Sequence, residues 1–423
     1  MVRAKQLDTA LPSPQPPAEI STPWWRDRPP RRSSPFPPHI PGCRGQPAFR
    51  PRQNRMPSHP ACPSLNPSIL EWIRHFPKDA PREEEFDRLA LGLFARQWEQ
   101  VTPYRRWIQS RQKKEATPGH WTEIPAIPLA AFKEQNLRAF PDEETIATFH
   151  SSGTTGATPS RHHHHAASLD VYEVSLWRGF QHAVLAPSLQ SAHLLCLSPS
   201  PRQSPHSSLV HMFETVKQRH PWIRAEYVAM ADPAGLWHLD LKRLSDALHR
   251  SCHDGVPALL LGTAFMFVHA LEYFARAGLT FSLPPGSGLM ETGGYKGRSH
   301  AWPKELLHDR LSKFLGLPRE QILCEYGMCE LSSQAYDAAG GLAPSANRRF
   351  QFPPWARIQV VSPETERPVP DGETGLLRVL DLANVGSVCA LQTEDLVIAH
   401  GQSFELRGRS ANAEPRGCSL SAP

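Results

Sequence analysis

The stretch that decides the fold is HSSGTTGATPSR, residues 150–161, in which hydroxyl side chains and glycines follow an apolar-containing run. That run, residues 145–149, predicts a strand. Glycine lets the backbone turn tightly, so successive amide N–H groups can converge on phosphate oxygens while serine and threonine hydroxyls add further donors. The stretch therefore predicts a phosphate-binding loop, and the alternative is a Ser/Gly-rich surface turn.

This loop is not a Walker loop. The Walker pattern GxxxxGK[ST] needs a lysine before its final hydroxyl, whereas Gly156 is followed here by Ala157 and Thr158. The loop residues that we predict to bind a nucleotide are Ser151, Ser152, Gly153, Thr154, Thr155 and Gly156.

Composition separates an N-terminal segment from the rest of the chain. Of the 44 prolines, 17 fall in residues 1–67, and residues 1–66 carry ten Lys or Arg against three Asp or Glu. Such a segment cannot bury enough apolar surface to offset its ordering entropy. We expect a disordered leader over 1–66 and a folded domain over 67–423, with 350–423 a β-rich sub-part.

The charge and cysteine patterns exclude several classes of function. The net charge of +5 comes from the leader, so the folded part predicts no nucleic-acid partner. No apolar stretch is long enough for a secretory signal or a membrane span. Eight cysteines without a CxxC pair argue against a disulfide framework and a zinc ribbon, and the simplest setting is the cytoplasm.

Apolar runs alternate with helical patterns from residue 192 onward, which is typical of α/β architecture. Buried strands are predicted at 194–197, 258–261 and 287–290, and further strands at 357–361 and 375–380. A helix with an apolar core face is predicted from Arg82, and extended chain over 121–133. Four histidines, residues 162–165, predict a polar turn or a helix start rather than a metal site.

Activation of a carboxylate by ATP requires groups that bind adenine, ribose and magnesium, and turns that follow residue 290 contain such groups. A flat slot for adenine could form between Gly293–Gly294 and Tyr326–Gly327, both at predicted strand ends. Glu330 offers magnesium a hard oxygen ligand. Asp395 could accept from the ribose hydroxyls, and Arg409 could reach ribose or phosphate.

Six segments together resemble the acyl-protein synthetase family typified by LuxE, within the adenylate-forming superfamily. They are WTEIPAIPLAAFK, HSSGTTGATPSRH, METGGYKG, EYGMCELSSQAY, TEDL and GR…EPRGCS, in that order between residues 121 and 418. The resemblance implies the α/β adenylate-forming N-terminal architecture. It also implies that ATP and a fatty acid, or another small carboxylic acid, give acyl-AMP, and that the acyl group passes through a cysteine of the enzyme to an acyl reductase partner.

The resemblance places the accepting cysteine near the C-terminus, where Cys418 matches, with Cys324 and Cys329 as alternatives. A thiolate is the reactive form, and Arg416 would favour it. Arg161 replaces the lysine with which many relatives end the phosphate loop. We expect no counterpart of the C-terminal domain that carries a catalytic lysine in larger relatives, so Lys296 and Lys133 are candidates to meet charge at the α-phosphate.

Two other functions stay open at this point. A ligase that passes its adenylate to a free thiol, such as coenzyme A or a carrier-protein arm, would not need Cys418. An inactive relative that serves as a scaffold subunit of a reductase complex would show no ATP–pyrophosphate exchange.

Overall fold

A computed structural model describes seven segments of the chain. They are residues 65–75, 83–111, 117–151, 158–185, 191–293, 302–337 and 348–410. The expected domain start near residue 67 falls inside the first helix, which begins at Leu65. The boundary between leader and domain stays a prediction.

Helices and strands alternate through most of these segments. The helices are α1 (Leu65–Arg74), α2 (Glu83–Gln100), α3 (Thr102–Arg111), α4 (Ala131–Glu134), α5 (Ala166–Ala183), α6 (Ser208–Arg219), α7 (Leu241–Asp254), α8 (Ala264–Ala277) and α9 (Lys304–Leu315). The strands are β1 (Ile127–Pro128), β2 (Ala147–His150), β3 (Arg161–His164), β4 (His193–Leu197), β5 (Arg224–Tyr227), β6 (Ala229–Ala231), β7 (Trp237–Leu239), β8 (Ala258–Thr263), β9 (Gly288–Thr292), β10 (Ile322–Tyr326), β11 (Ala335–Tyr336), β12 (Phe350–Gln351), β13 (Ala356–Val361), β14 (Thr374–Asp381), β15 (Ala390–His400) and β16 (Ser403–Arg409). Short 3-10 turns lie at Trp121–Glu123, Asp142–Glu144 and Arg319–Gln321.

One half of the large sheet is parallel. Its strands follow the order β5-β4-β8-β9-β10, and every neighbouring pair runs in the same direction. β4, β8, β9 and β10 are buried along their whole length, as expected of apolar strands with helices packed on both faces. The strands predicted at 194–197, 258–261 and 287–290 are therefore confirmed.

The other half of the sheet is antiparallel. It continues from β10 in the order β11-β12-β16-β15-β14-β13. The two-residue β1 pairs with β15 in the parallel direction. The strands predicted at 357–361 and 375–380 are β13 and β14. The mixed α/β fold with a β-rich C-terminal part is confirmed.

The helix predicted from Arg82 is α2, and its aromatic side chains lie in the core. Phe86, Leu89, Leu93 and Phe94 recur at helical spacing and are buried. Glu83, Glu84 and Glu85 occupy the first turn, where the helix dipole favours negative charge.

Two local predictions need correction. Residues 121–133 are not continuously extended, since they contain a 3-10 turn, the two-residue β1 and most of α4. His162, His163 and His164 lie in β3 rather than in a turn, paired with β2. Only His165 fits the predicted helix start, because its backbone N–H donates to the Ser168 hydroxyl at the first turn of α5 (3.0 Å). The strand forms because alternate side chains, His162 and His164, are buried.

Candidate active site

A cavity of about 670 Å³ lies where the two halves of the sheet meet. The carboxyl ends of β9 and β10 form its floor, and β15 and β16 contribute one wall. The start of the glycine-rich loop and α6 line the opposite side. Ligands of parallel sheets bind just beyond the carboxyl ends of the strands, so this is the position expected of a substrate site.

Glycine turns follow the strands at the floor. Gly293 comes directly after β9, and Gly327 comes directly after β10; both line the cavity beside Tyr326. A Cβ at Gly327 would meet Glu325 Oε1 at 2.1 Å and Gln334 Cγ at 3.3 Å. A side chain at 327 would therefore force the Glu325 carboxylate to move, whereas glycine leaves the backbone of this turn open to a flat ligand.

Hydrogen-bonded side chains from β15 and β16, joined by Tyr326 of β10, form one wall of the cavity. Asp395 and Arg409 face each other in register across these strands, and Arg409 Nε donates to Asp395 Oδ1 at 3.2 Å. The Tyr326 hydroxyl donates to the other oxygen, Oδ2, at 2.7 Å. Arg409 also donates to Glu394 Oε2 at 2.6 Å. The carboxylate predicted to accept from ribose is thus held in place from both sides.

Glu330 lies in the segment between β10 and β11 and is fully buried at the cavity wall. The Cys329 thiol donates to Glu330 Oε2 at 3.2 Å, and the Asn384 amide donates to the Glu330 carbonyl at 2.9 Å. A carboxylate at the wall of a cavity offers the hard oxygen that Mg²⁺ prefers, since this ion takes one or two carboxylates together with phosphate oxygens. The residue present therefore fits the ion.

Two further titratable side chains at the floor lie deep in the protein. Burial raises the pKa of Glu325 to about 7. A hydrogen bond from Thr292 lowers this pKa, and the nearby Glu291 carboxylate raises it further. Burial, with Glu291 again adding to the effect, raises the pKa of the Cys324 thiol well above its usual range. Cys324 is consequently a poor source of thiolate.

The two ends of the glycine-rich loop are fastened to each other. Ser151 N–H donates to the Ser160 carbonyl at 3.0 Å, and Ser160 N–H donates to Ser151 Oγ at 2.8 Å. His150, Ser151 and Pro159 line the cavity, so the loop leaves and re-enters the structure at this site. Five predicted residues, Ser152, Gly153, Thr154, Thr155 and Gly156, lie outside the described residues.

Sequence reasoning missed the wall opposite β15 and β16. The segment after β4 and the start of α6 supply it through Gln203, His206 and Met212, and Trp237 of β7 completes it. His206 connects this wall to the loop, because its ring stacks on His150 at 4.6 Å and its carbonyl accepts from His150 N–H at 2.9 Å. The only available signal was a Ser/Pro-rich turn after a predicted strand.

Comparison with known proteins decides the family. A family model described as "Acyl-protein synthetase, LuxE" matches residues 78–422, which is most of the chain. The chain belongs to the LuxE family of acyl-protein synthetases. It is accordingly a ligase, as the six segments predicted.

Relatives and solved structures agree with this family. The long-chain-fatty-acid–luciferin-component ligase of Vibrio harveyi is 22% identical over 356 residues, 79% of this chain and 86% of that protein. The ligase of the same name from Aliivibrio fischeri is 22% identical over 316 residues, 71% and 78% of the two chains. An open conformation of 2-hydroxyisobutyryl-CoA ligase in complex with 2-HIB-AMP and CoA has a TM-score of 0.57 at 15% identity, covering 77% of this chain and 75% of its own. This likeness shows the adenylate-forming ligase fold.

Other predicted residues of this LuxE-family chain fall outside the cavity or outside the described residues. Arg161 begins β3 and is exposed, and Lys133 lies on α4; neither is among the described residues that line the cavity. Gly294, Lys296 and Cys418 lie outside the described residues, so their roles stay predictions. Among the helices that are described, none combines the length and apolar character needed to cross a membrane.

Proposed function

We propose that this LuxE-family ligase uses ATP and Mg²⁺ to activate a long-chain fatty acid and then acylates a cysteine of its own chain. In the first step a carboxylate oxygen attacks the α-phosphorus, and pyrophosphate leaves to give acyl-AMP. In the second step a thiolate attacks the acyl carbonyl, and AMP leaves to give a thioester. The names of the two bacterial relatives support a long-chain fatty acid as substrate.

The observation that carries the proposal is the convergence of separate glycine turns on one cavity. Ser151, Gly293 and the segment from Gly327 to Glu330 come from three distant parts of the sequence and line the same space. Nucleotide, metal and acid must meet within a few ångströms for adenylation, because the reaction depends on orientation. A surface turn, which was the alternative for the glycine-rich loop, would not need these partners.

Different walls of the cavity would bind different parts of ATP. We assign the ribose to Asp395, with Arg409 beside it, and the adenine to the space between Gly293 and Tyr326–Gly327. Glu330 would hold Mg²⁺, which when bound neutralises charge on the phosphates. Since Asp395 is already oriented by Tyr326 and Arg409, it accepts from ribose without reorganising.

Cys418 is the proposed acyl acceptor. Two alternatives, Cys324 and Cys329, line the cavity, and both are buried. The pKa of Cys324 is raised, so its thiolate is scarce, and the Cys329 thiol donates to Glu330. Arg416, two residues from Cys418, would favour the thiolate there. The thioester would then supply an acyl reductase partner, which would take the acyl group from Cys418.

Labelling with a radioactive long-chain fatty acid and MgATP tests the proposal. We expect protein-bound label that neutral hydroxylamine removes, and we expect Cys418→Ser to lose the label while retaining fatty-acid-dependent ATP–pyrophosphate exchange. Cys252→Ser is the matched control, because Cys252 is a partly exposed cysteine on α7 that does not line the cavity. Label that persists in Cys418→Ser would remove the self-acylation step.

The same assay separates the rival functions. Full turnover of Cys418→Ser with added coenzyme A would indicate a ligase that uses an external thiol. Absence of exchange in the unaltered protein would indicate a scaffold subunit. Transfer of label from the loaded enzyme to an added acyl reductase would support the proposed partner.

A further inference from the structure

Two consecutive backbone carbonyls next to the proposed metal ligand are each held by a buried side chain. His162 Nδ1 lies 2.7 Å from the Cys329 carbonyl oxygen, and Asn384 Nδ2 donates to the Glu330 carbonyl oxygen at 2.9 Å. A carbonyl only accepts, so Nδ1 of His162 carries the proton. All three of His162, Asn384 and Glu330 are at most 1% exposed.

The segment that these side chains hold has little regular structure of its own. Residues 327–334 connect β10 to β11 outside both strands. The backbone bond within this connection joins Leu331 N–H to the Met328 carbonyl at 3.2 Å. Side chains from elsewhere in the sequence must therefore fix its course.

The two donors are themselves anchored from opposite directions. His162 lies on β3, directly after the glycine-rich loop, in register with Phe149 of β2. Asn384 lies in the turn after β14, where Gln97 of α2 donates to its carbonyl at 2.8 Å and accepts from Cys389 N–H at 2.8 Å. Asp381, at the end of β14, accepts from Ser332 N–H at 2.9 Å.

We propose that His162 and Asn384 are positioning residues that hold the Glu330 carboxylate at the cavity wall. This inference rests on the proposed function, in which Glu330 binds Mg²⁺. His162 joins the Glu330 segment to β3, the strand that follows the glycine-rich loop in the sequence. Asn384 joins the same segment to α2 and the antiparallel half of the sheet.

The expected consequence concerns metal affinity rather than the chemical step. If one of these hydrogen bonds is lost, the Glu330 carboxylate samples several positions. The metal binds in only some of them, so its apparent affinity falls. Nucleotide contacts made by Asp395 and Gly293 lie on other elements and should persist.

Binding of a fluorescent ATP analogue, titrated with MgCl₂ or MnCl₂, tests this inference without fatty acid or thiol. We expect His162→Leu and Asn384→Ala each to raise the metal concentration for half-maximal binding by about tenfold, which corresponds to about 1.4 kcal/mol. His162→Asn restores a donor close to the position of Nδ1 and should stay within about twofold of the original protein.

His164→Leu is the matched control. His164 lies two residues along β3, is similarly buried and points to the same side of the strand. Its ring stacks on Tyr172 and lies 4.3 Å from the His162 ring, so this variant removes neighbouring packing while leaving the His162 bond to Cys329 in place. We expect it to lower the melting temperature as much as His162→Leu without moving the metal titration. An equal shift of the metal titration in His164→Leu and His162→Leu would overturn the proposal. So would an unchanged metal titration in both His162→Leu and Asn384→Ala.

Glu330→Gln separates failure of this inference from failure of the proposed function. If Glu330→Gln leaves the metal titration unchanged, the assignment of Glu330 as metal ligand is wrong, and the positioning proposal is overturned with it. If Glu330→Gln moves the titration but neither His162→Leu nor Asn384→Ala does, only the positioning proposal is overturned. Because the two donors come from different elements, one variant that fails to fold leaves the other to decide.

Discussion

Each half of the sheet contributes a carboxyl group to the same cavity, and the surroundings of the two groups differ. The parallel half contributes Glu325, which is buried at the end of β10 beside Glu291 and Thr292, and whose pKa is raised to about 7. The antiparallel half contributes Asp395, which accepts hydrogen bonds from Tyr326 and Arg409. One half thus favours an uncharged carboxylic acid, and the other holds a carboxylate that is prepared to accept.

This difference follows from the architecture of each half. Parallel strands are covered on both faces, so a side chain at their ends loses water without necessarily gaining a cation. Antiparallel neighbours place side chains directly opposite each other, as with Asp395 and Arg409, so charges can pair across the strands. The same substitution, carboxyl to amide, should therefore have opposite effects on stability in the two halves.

The largest expected effect is that of Glu325→Gln on the pH dependence of stability. The pKa of Glu325 is raised in the folded protein, so the folded state holds its proton more tightly than the unfolded state. The stability that this group contributes is present below its ordinary pKa of 4.5 and is lost as the pH rises toward 7. Glutamine resembles the protonated acid at every pH. We expect Glu325→Gln to gain about 2.5 kcal/mol relative to the original protein between pH 5 and pH 8.

Urea unfolding at several pH values checks this expectation. The free energy of unfolding of both proteins is measured, and their difference is plotted against pH. A difference that does not change between pH 5 and pH 8 would show that the pKa of Glu325 is not raised.

The sequence predicted those parts of the site whose signal is local. A glycine after an apolar run marks a strand end wherever it occurs, and Gly293 and Gly327 were found for this reason. Asp395 and Arg409 were found because short motifs contain them. The prediction of a β-rich C-terminal part, which β12 to β16 confirm, followed from alternation and from turn residues such as those at 370–372.

Other features have no local signal. β3 was missed because residues 161–164 are one arginine and three histidines. Their buried and exposed positions alternate, but all four side chains are polar, so the sequence shows no apolar period of two. The bonds from His162 to Cys329 and from Asn384 to Glu330 join residues separated by 167 and 54 positions. The wall containing His206 and Met212 depends on how α6 packs on the sheet, which the spacing of residues does not encode.

The next largest effect is expected at Gly327, where a side chain would displace the buried carboxylate of Glu325. We expect Gly327→Ala to lower the free energy of unfolding by about 2 kcal/mol, since its Cβ would meet Glu325 Oε1 at 2.1 Å. Gly293→Ala is the matched control at the same floor, because a Cβ there meets no atom of the described residues within 4 Å. Chemical denaturation of both variants measures the difference.

A double variant sharpens this test. Glu325→Ala removes the atom that the new Cβ would meet, so Gly327→Ala should cost much less stability in the Glu325→Ala background. If Gly327→Ala costs as much in that background as in the original protein, the destabilisation comes from the backbone and not from the contact with Glu325.

The smallest effect is expected in the antiparallel half, where Asp395→Asn should lower the stability by about 1 kcal/mol and weaken ATP binding about fivefold. The pair with Arg409 is partly exposed, which limits its contribution, and the amide accepts from ribose less strongly than the carboxylate. Glu394→Gln is the control, because Glu394 also bonds to Arg409 at 2.6 Å but is not among the described residues that line the cavity. We expect both variants to lose similar stability in urea, with a smaller loss at high salt, and only Asp395→Asn to weaken nucleotide binding in a fluorescence titration. Equal weakening in both would mean that the Arg409 charge, rather than the Asp395 carboxylate, recognises the nucleotide.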